Sequence, residues 1–170
     1  MLVDFDNTLF FTDKPTRLAT MEMFGKALGR DTVRKMDRDV KRQIYELAHS
    51  KYKWHSTPHS FLIRRLKLKK GSKIVIMTAR SASLRSHTLD LIRKHGVRYD
   101  RLVLRDEKAA ALKDEEWKLQ QIRKFLKNYE SVSYYDDKEE NIAYVRKAIG
   151  RSKRLRIFQV LPERIKEVER

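Results

Sequence analysis

Apolar and polar positions along this chain alternate between two periods. Leu2-Val3 leads into Asp4-Phe5-Asp6-Asn7-Thr8. Lys73-Ile74-Val75-Ile76-Met77-Thr78 is a continuous apolar run, the pattern of a parallel strand buried on both faces. Arg101 to Arg105 reads as a shorter strand, Val132 to Asp137 as another, and Leu155 to Val160 closes the set. Between them the period lengthens. Asp114-Glu115-Glu116 opens an amphipathic helix with Trp117, Ile122, Phe125, Leu126 and Tyr129 on its apolar side. Pro15 to Leu28 and Thr32 to Tyr52 predict two helices broken at Gly29-Arg30-Asp31, with Asp31 as N-cap. Val33, Met36, Val40, Ile44 and Leu47 follow helical spacing in the second of these. The tail from Pro162 to Arg170 reads as a short charged helix. Strands alternating with helices predict an α/β fold, a Rossmann-like parallel sheet flanked by helices.

In such a sheet a ligand sits outside the carboxyl ends of the strands. Asp4, Thr78, Asp136 and Asp137 all stand at predicted strand ends, so folding alone would gather them. In an extended segment Asp4 and Asp6 point the same way. Paired carboxylates make a hard-oxygen site suited to Mg²⁺, and one can attack while the other moves a proton. The same run also reads as an Asx turn closing a strand. Only three residues precede Asp4, so the first strand is short or further residues lead into it.

Four motifs in order, Asp4-x-Asp6-x-Thr8, Thr78, Lys118 and Asp136-Asp137, resemble the signature of the haloacid dehalogenase superfamily. The match covers roughly residues 1–12 and 60–160. Trp117-Lys118, the paired acids and the late Phe158-Gln159-Val160 strand resemble the phosphatase half of polynucleotide kinase–phosphatase and RNA-repair-like relatives. The chain has no kinase half and no Walker-type phosphate loop. The resemblance implies a Mg²⁺-dependent phosphomonoester hydrolase. In it Asp4 would be the nucleophile that forms an aspartyl-phosphate, and Asp6 the acid and base. Thr78 would hold a phosphate oxygen, and Lys118 would offset charge. Asp136 and Asp137 would complete the Mg²⁺ shell with Asp4 and the Asp6 backbone carbonyl, Asp136 as direct ligand and Asp137 second. Asp137 with Glu140 also fits a helix-capping pattern. Thr8, Arg80 and Arg105 are expected substrate contacts, though both arginines could pair with local acids. The implied division is a core of residues 1–12 and 60–170 with a small helical cap insert at 13–59. So small a cap would act as a lid yet leave room for a large substrate.

Composition narrows the field further. No cysteine is present, which excludes disulfides, thiol catalysis and Cys-zinc sites. His55 and His59 lie four apart, but Pro58 breaks the helix that a zinc pair would need. Tyr134 and Tyr135 read as core. No apolar run approaches a membrane span and no signal peptide is visible, so a cytoplasmic protein with no membrane partner is expected. The net charge is +17. Arg64, Arg65, Lys67, Lys69, Lys70, Lys73 and Arg80 fall in 64–80 without an acid. Arg146, Lys147, Arg151, Lys153, Arg154 and Arg156 do the same in 145–156. Such runs suit polyanions, because neutralising phosphates releases counterions. They are expected to flank the strand ends that carry the site. A phosphorylated substrate, with nucleic-acid or nucleotide ends as its class, is therefore the expected partner. A non-catalytic nucleic-acid-binding protein on the same scaffold and a small-metabolite phosphatase are the alternatives.

Overall fold

A computed structural model describes residues 1–168. They divide into two compact units, one of Met1–Leu9, His59–Ala82 and the chain from Arg98 onward, the other of Phe10–Pro58 and Ser83–Val97. The second unit differs from the insert expected at 13–59 in also holding Ser83–Val97.

The first unit is built on a six-stranded sheet. Its strands are β1 (Leu2–Asp4), β4 (Val75–Ser81), β5 (Arg101–Arg105), β6 (Val132–Asp136), β7 (Leu155–Leu161) and β8 (Arg164–Val168), in the order β5-β4-β1-β6-β7-β8. The first five run parallel, and β8 returns antiparallel along β7. The chain leaves β1 first to one side, through β4 and β5, and later to the other, through β6 and β7. That reversal of order makes a crevice at the carboxyl end of β1, the place where ligands bind in open α/β sheets.

Period-two alternation sorts the strand residues between two faces. Leu2, Val75, Met77, Tyr134 and Ile157 pack with Trp117, Ile122 and Phe125 of α6 (Asp114–Asn128) and with Ile142 and Val145 of α7 (Glu139–Ile149). The intervening residues Val3, Ile76, Tyr135 and Phe158 are buried on the other side. There Tyr135 stacks on Phe158 at 4.6 Å, and Arg65 of α4 (Ser60–Leu68) covers the Phe158 ring at 5.5 Å. Burial on both faces explains why β4 and β6 read as nearly unbroken apolar runs.

The tail corrects an expectation. Arg164–Val168 is strand, not helix, and the expected helix otherwise lies partly outside the described residues. Arg164-Ile165-Lys166-Glu167-Val168 is polar because β8 is an edge strand, where charge is tolerated and guards against further pairing. The cross-strand Arg156–Glu167 pair, at 2.6 Å, ties it to β7. Tyr129, expected on the apolar side of α6, is 40% exposed, because the helix ends at Asn128 and Tyr129 is already extended.

In the second unit β2 (Phe10–Phe11) pairs antiparallel with β3 (Thr57–Pro58). Helices α1 (Asp13–Phe24), α2 (Arg30–Arg34) and α3 (Arg38–Ser50) surround a core of Ala19, Val33, Ile44 and Ala48, and α5 (Arg85–Lys94) packs with α3. Two expectations change here. The first helix ends at Gly25, whose φ of 68° is the left-handed conformation glycine adopts without strain. The second breaks in two, because the Asp37 side chain accepts the Arg38 N–H at 3.1 Å and starts a new helix, while Asp31 lies inside α2. Met36 and Val40 still join the same core, so apolar spacing persisted across the break. No helix among the described residues is long and apolar enough to cross a membrane.

Candidate functional site

Every polar group described in this section belongs to the first unit. Asp4 is the last residue of β1, 4% exposed, with the sheet's central position behind it. Its Oδ1 lies 2.9 Å from the Lys118 Nζ, and its Oδ2 accepts the Thr8 hydroxyl at 3.1 Å. Lys118 sits on the second turn of α6, 1% exposed, between Trp117 and Leu119, which are also buried. Its Nζ reaches Asp136 Oδ2 at 2.7 Å and Asp114 Oδ2 at 3.4 Å. A lysine so deeply buried is stable only when paired, and here three carboxylates surround it.

Asp4, Asp136 and Asp137 each offer a carboxylate oxygen, and these oxygens all lie within 4.8 Å of one another. Three converging hard-oxygen donors, two of them buried, fit a divalent cation such as Mg²⁺. The Asp6 carboxylate is not among them, and its expected contribution was through the backbone carbonyl. Asp136, expected as the direct ligand, is 0% exposed and has its oxygens taken by several donors. They are Lys118, the Lys138 N–H at 2.8 Å, the Asn141 amide at 3.1 Å and the Tyr134 hydroxyl. Asp137 is only half-buried, and Thr8 holds it on two sides. The Thr8 Oγ1 is 3.0 Å from its carboxylate and accepts its backbone N–H at 2.9 Å. Its capping role does not form, because Lys138 occupies the N-cap of α7.

Asp4 and Asp6 were expected side by side, but they take different partners. The strand ends at Asp4, and Asn7 follows with a φ of 61°, so strict alternation stops there. Asp6 turns to Thr78, whose hydroxyl donates at 3.3 Å, and to Arg80. The Arg80 guanidinium grips the Asp6 carboxylate as a fork, Nε to Oδ2 at 3.0 Å and Nη2 to Oδ1 at 2.7 Å, and lies 4.4 Å over the Phe5 ring. Such bidentate pairs fix orientation as well as charge. Arg80 was expected on substrate or on a local acid, and its guanidinium lies on Asp6. Arg105, expected likewise, is drawn onto Asp114 at 3.2 Å, with its guanidinium 5.4 Å over the Trp117 ring. His59 caps α4: its Nδ1 accepts the Leu62 N–H at 3.2 Å, and its Nε2 lies 2.9 Å from the Leu161 carbonyl.

Burial raises the Asp4 carboxyl well above its ordinary range, and Asp136 and Asp137 push it further against the pull of Lys118. Burial alone would lower Lys118, but Asp136 and Asp4 outweigh it and hold the ammonium well above its usual value. Burial, then Asp136, raises the Tyr134 hydroxyl, which keeps it a donor. Burial would raise Asp114, yet Lys118, Lys138 and Arg105 hold it below the usual carboxylate range.

Asp114, Tyr134 and Asn141 were not expected in the site. Asp114 joins Lys118, Lys138, Arg105 and Asn141 into one network. Its spacing of four residues before Lys118 on one helix face was the signal that could have found it.

No protein-family model and no curated protein sequence matches the chain. Solved structures do. One, of a Pnkp1/Rnl/Hen1 complex, aligns over 94% of this chain and 44% of its own at 19% identity and a TM-score of 0.62. Another, of the Pnkp1/Rnl/Hen1 RNA repair complex, covers 94% and 41% at 17% identity and a TM-score of 0.55. This chain therefore spans less than half the length of those two. A HAD-superfamily hydrolase of subfamily IA from Geobacter sulfurreducens covers 92% and 83% at 14% identity and a TM-score of 0.56. At such identities the likeness is one of fold. A mostly parallel sheet whose order reverses at β1, together with these neighbours, gives the chain a haloacid dehalogenase-like α/β fold.

Proposed function

We propose that the chain is a Mg²⁺-dependent phosphomonoester hydrolase that works through an aspartyl-phosphate on Asp4, with terminal phosphates of nucleic acids or nucleotides as its substrate class. One observation carries this reading: a buried carboxylate at the switch point of the sheet is held by a buried ammonium beside two further carboxylates. Structural ion pairs of that kind have no need of a second and third acid.

Asp4 attacks phosphorus through one carboxylate oxygen, forming an acyl phosphate as the ester oxygen leaves. Lys118 and Thr8 fix the carboxylate, and each oxygen keeps a lone pair for attack. Asp6, once protonated and turned out of the Arg80 fork, would give its proton to the leaving oxygen. It then takes a proton from the water that breaks the acyl phosphate. Asp4, Asp136 and Asp137 would hold Mg²⁺ with the Asp6 backbone carbonyl, and Asp136 would also anchor Lys118. A bound Mg²⁺ supplies the electrostatic screening that lets an anionic carboxylate approach an anionic phosphate. The RNA-repair assemblies among the structural neighbours and the net charge of +17 support the nucleic-acid end of the substrate range.

Hydrolysis of an aryl phosphate should need Mg²⁺ and stop on chelation. The Asp4→Asn variant should fold yet lose turnover by at least about a thousandfold, since loss of a covalent nucleophile commonly costs that much or more. Undiminished turnover in Asp4→Asn would overturn the reading.

A further inference from the structure

Much of the two basic runs lies away from the site. A parallel strand carries the chain from one end of the sheet to the other, so the residues that precede a strand lie opposite those that follow it. Lys69, Lys70 and Lys73 precede β4, and Arg151, Lys153 and Arg154 precede β7, whereas Asp4 and Asp136 end their strands. Along β6 alone, from Val132 to Asp136, the separation is about 13 Å at the usual rise per residue. Arg80, from the first run, lies with the site and is buried there.

Helix ends explain part of this charge. Arg146 and Lys147 fall in the last turn of α7, where cations offset the helix dipole. Arg154 closes α6 by donating to the carbonyls of Tyr129 at 2.7 Å and Glu130 at 3.1 Å. Arg156 is paired with Glu167. Lys147, Arg151 and Lys153 are exposed, and none of them is in an ion pair among the described residues. Lys147 and Arg151 line a groove of ≈ 470 Å³ between α7 and the β7–β8 edge. Lys127, Tyr129, Glu130 and Arg154 line a second depression of ≈ 450 Å³, where the Tyr129 ring stacks on Phe125 at 5.9 Å and stays 40% exposed. Exposed cations and an exposed aromatic ring at one end of a domain suit a single strand, the cations meeting its phosphodiester backbone and the ring stacking a base. An anionic membrane surface would also attract the cations, and the vesicle arm of the test separates it from a nucleic acid.

We infer that the amino end of the sheet, around Lys147, Arg151, Lys153 and Tyr129, is a docking surface for single-stranded nucleic acid, separate from the centre at Asp4. The inference does not depend on catalysis. A strand held here is read through its backbone and an unstacked base, so its terminal phosphate is not required. A nucleic acid lying on this surface would also be held at the far end of the domain from the crevice.

The test uses a labelled single-stranded oligonucleotide without a terminal phosphate, followed by fluorescence anisotropy over a range of salt. The parent should bind, with affinity falling steeply as salt rises. The triple variant Lys147→Ala, Arg151→Ala, Lys153→Ala should bind about tenfold more weakly and flatten the logarithmic salt slope by about two, as loss of three phosphate contacts requires. Tyr129→Ala should weaken binding by roughly fivefold or more with the slope unchanged, since a stacked base is lost and no counterion. The triple Gln variant at the same positions should repeat the Ala result, which separates charge from folding. Aryl-phosphate turnover should be the same in parent and variants, whatever its level. Parent-like affinity and slope in both triple variants would overturn the inference. So would binding to anionic phospholipid vesicles without binding to the oligonucleotide.

Discussion

The two ends of the six-stranded sheet handle charge in opposite ways. At the carboxyl end Asp4, Asp114, Asp136 and Lys118 are buried or half-buried and joined in one network, and each charge has a partner within 3.4 Å. At the amino end the cations stand in water, many of one sign and several unpaired. Burial is the cause of the difference. A charge removed from water must be paired or neutralised, whereas a solvated one can accumulate beside its like. The buried end is therefore specific and costly to alter. The exposed end is tolerant in stability and useful only toward a partner that brings the opposite charge.

Replacing one lysine at each end breaks or sustains that contrast. Lys118→Met leaves Asp4, Asp136 and Asp114 without their common cation, and should cost about 3–5 kcal/mol of stability in the metal-free protein. Denaturant unfolding at constant slope checks it. A loss below about 1 kcal/mol, the range of exposed pairs, would mean that the network is not the tightly packed one described.

A smaller effect follows from Asp4. Its folded carboxyl titrates above its unfolded value, so its charged form opposes folding increasingly as pH rises through the unfolded value toward the folded one. A cation that binds the charged form competes with protons at low pH and relieves this opposition at higher pH. Mg²⁺ should thus raise the melting temperature more at about pH 8 than at about pH 5. An equal shift at both would mean that the cation binds elsewhere. The smallest effect belongs to Lys147→Met, which should change stability by less than about 0.5 kcal/mol, as surface substitutions commonly do.

The same contrast accounts for what the sequence disclosed. The convergence of Asp4, Asp136 and Asp137 was legible because β1 and β6 each run from apolar residues into acids and a parallel sheet puts such ends together, whereas Lys118 stands on helix α6 and Thr78, expected at a strand end, lies inside β4. Asp114 looked like any acid opening a helix, Tyr134 like any aromatic in a strand, and Asn141 like any exposed helix residue. Apart from the i, i+4 spacing of Asp114 and Lys118, their roles arise from contacts across α6, β6 and α7 that spacing does not encode. The pairing of Arg80 with Asp6 was hidden too, because it depends on the chain leaving extended geometry after Asp4. The residues of the basic runs that precede β4 and β7 were misplaced for a plain reason. Lys73 and Thr78 are neighbours in sequence, but the strand between them separates their ends across the domain. The β8 edge was missed because only Ile165 and Val168 in it are apolar, too few to show a period of two.

The central claim is that Asp4 becomes phosphorylated, and the Asp6→Asn variant tests it most directly. Given a substrate with a good leaving group and Mg²⁺, the variant should form the acyl phosphate and hydrolyse it slowly, for want of a base to activate water. Rapid quenching with a ³²P-labelled aryl phosphate and peptide mapping should then place the label on the peptide that holds Asp4. Turnover at the parent rate with no label on that peptide would contradict the account.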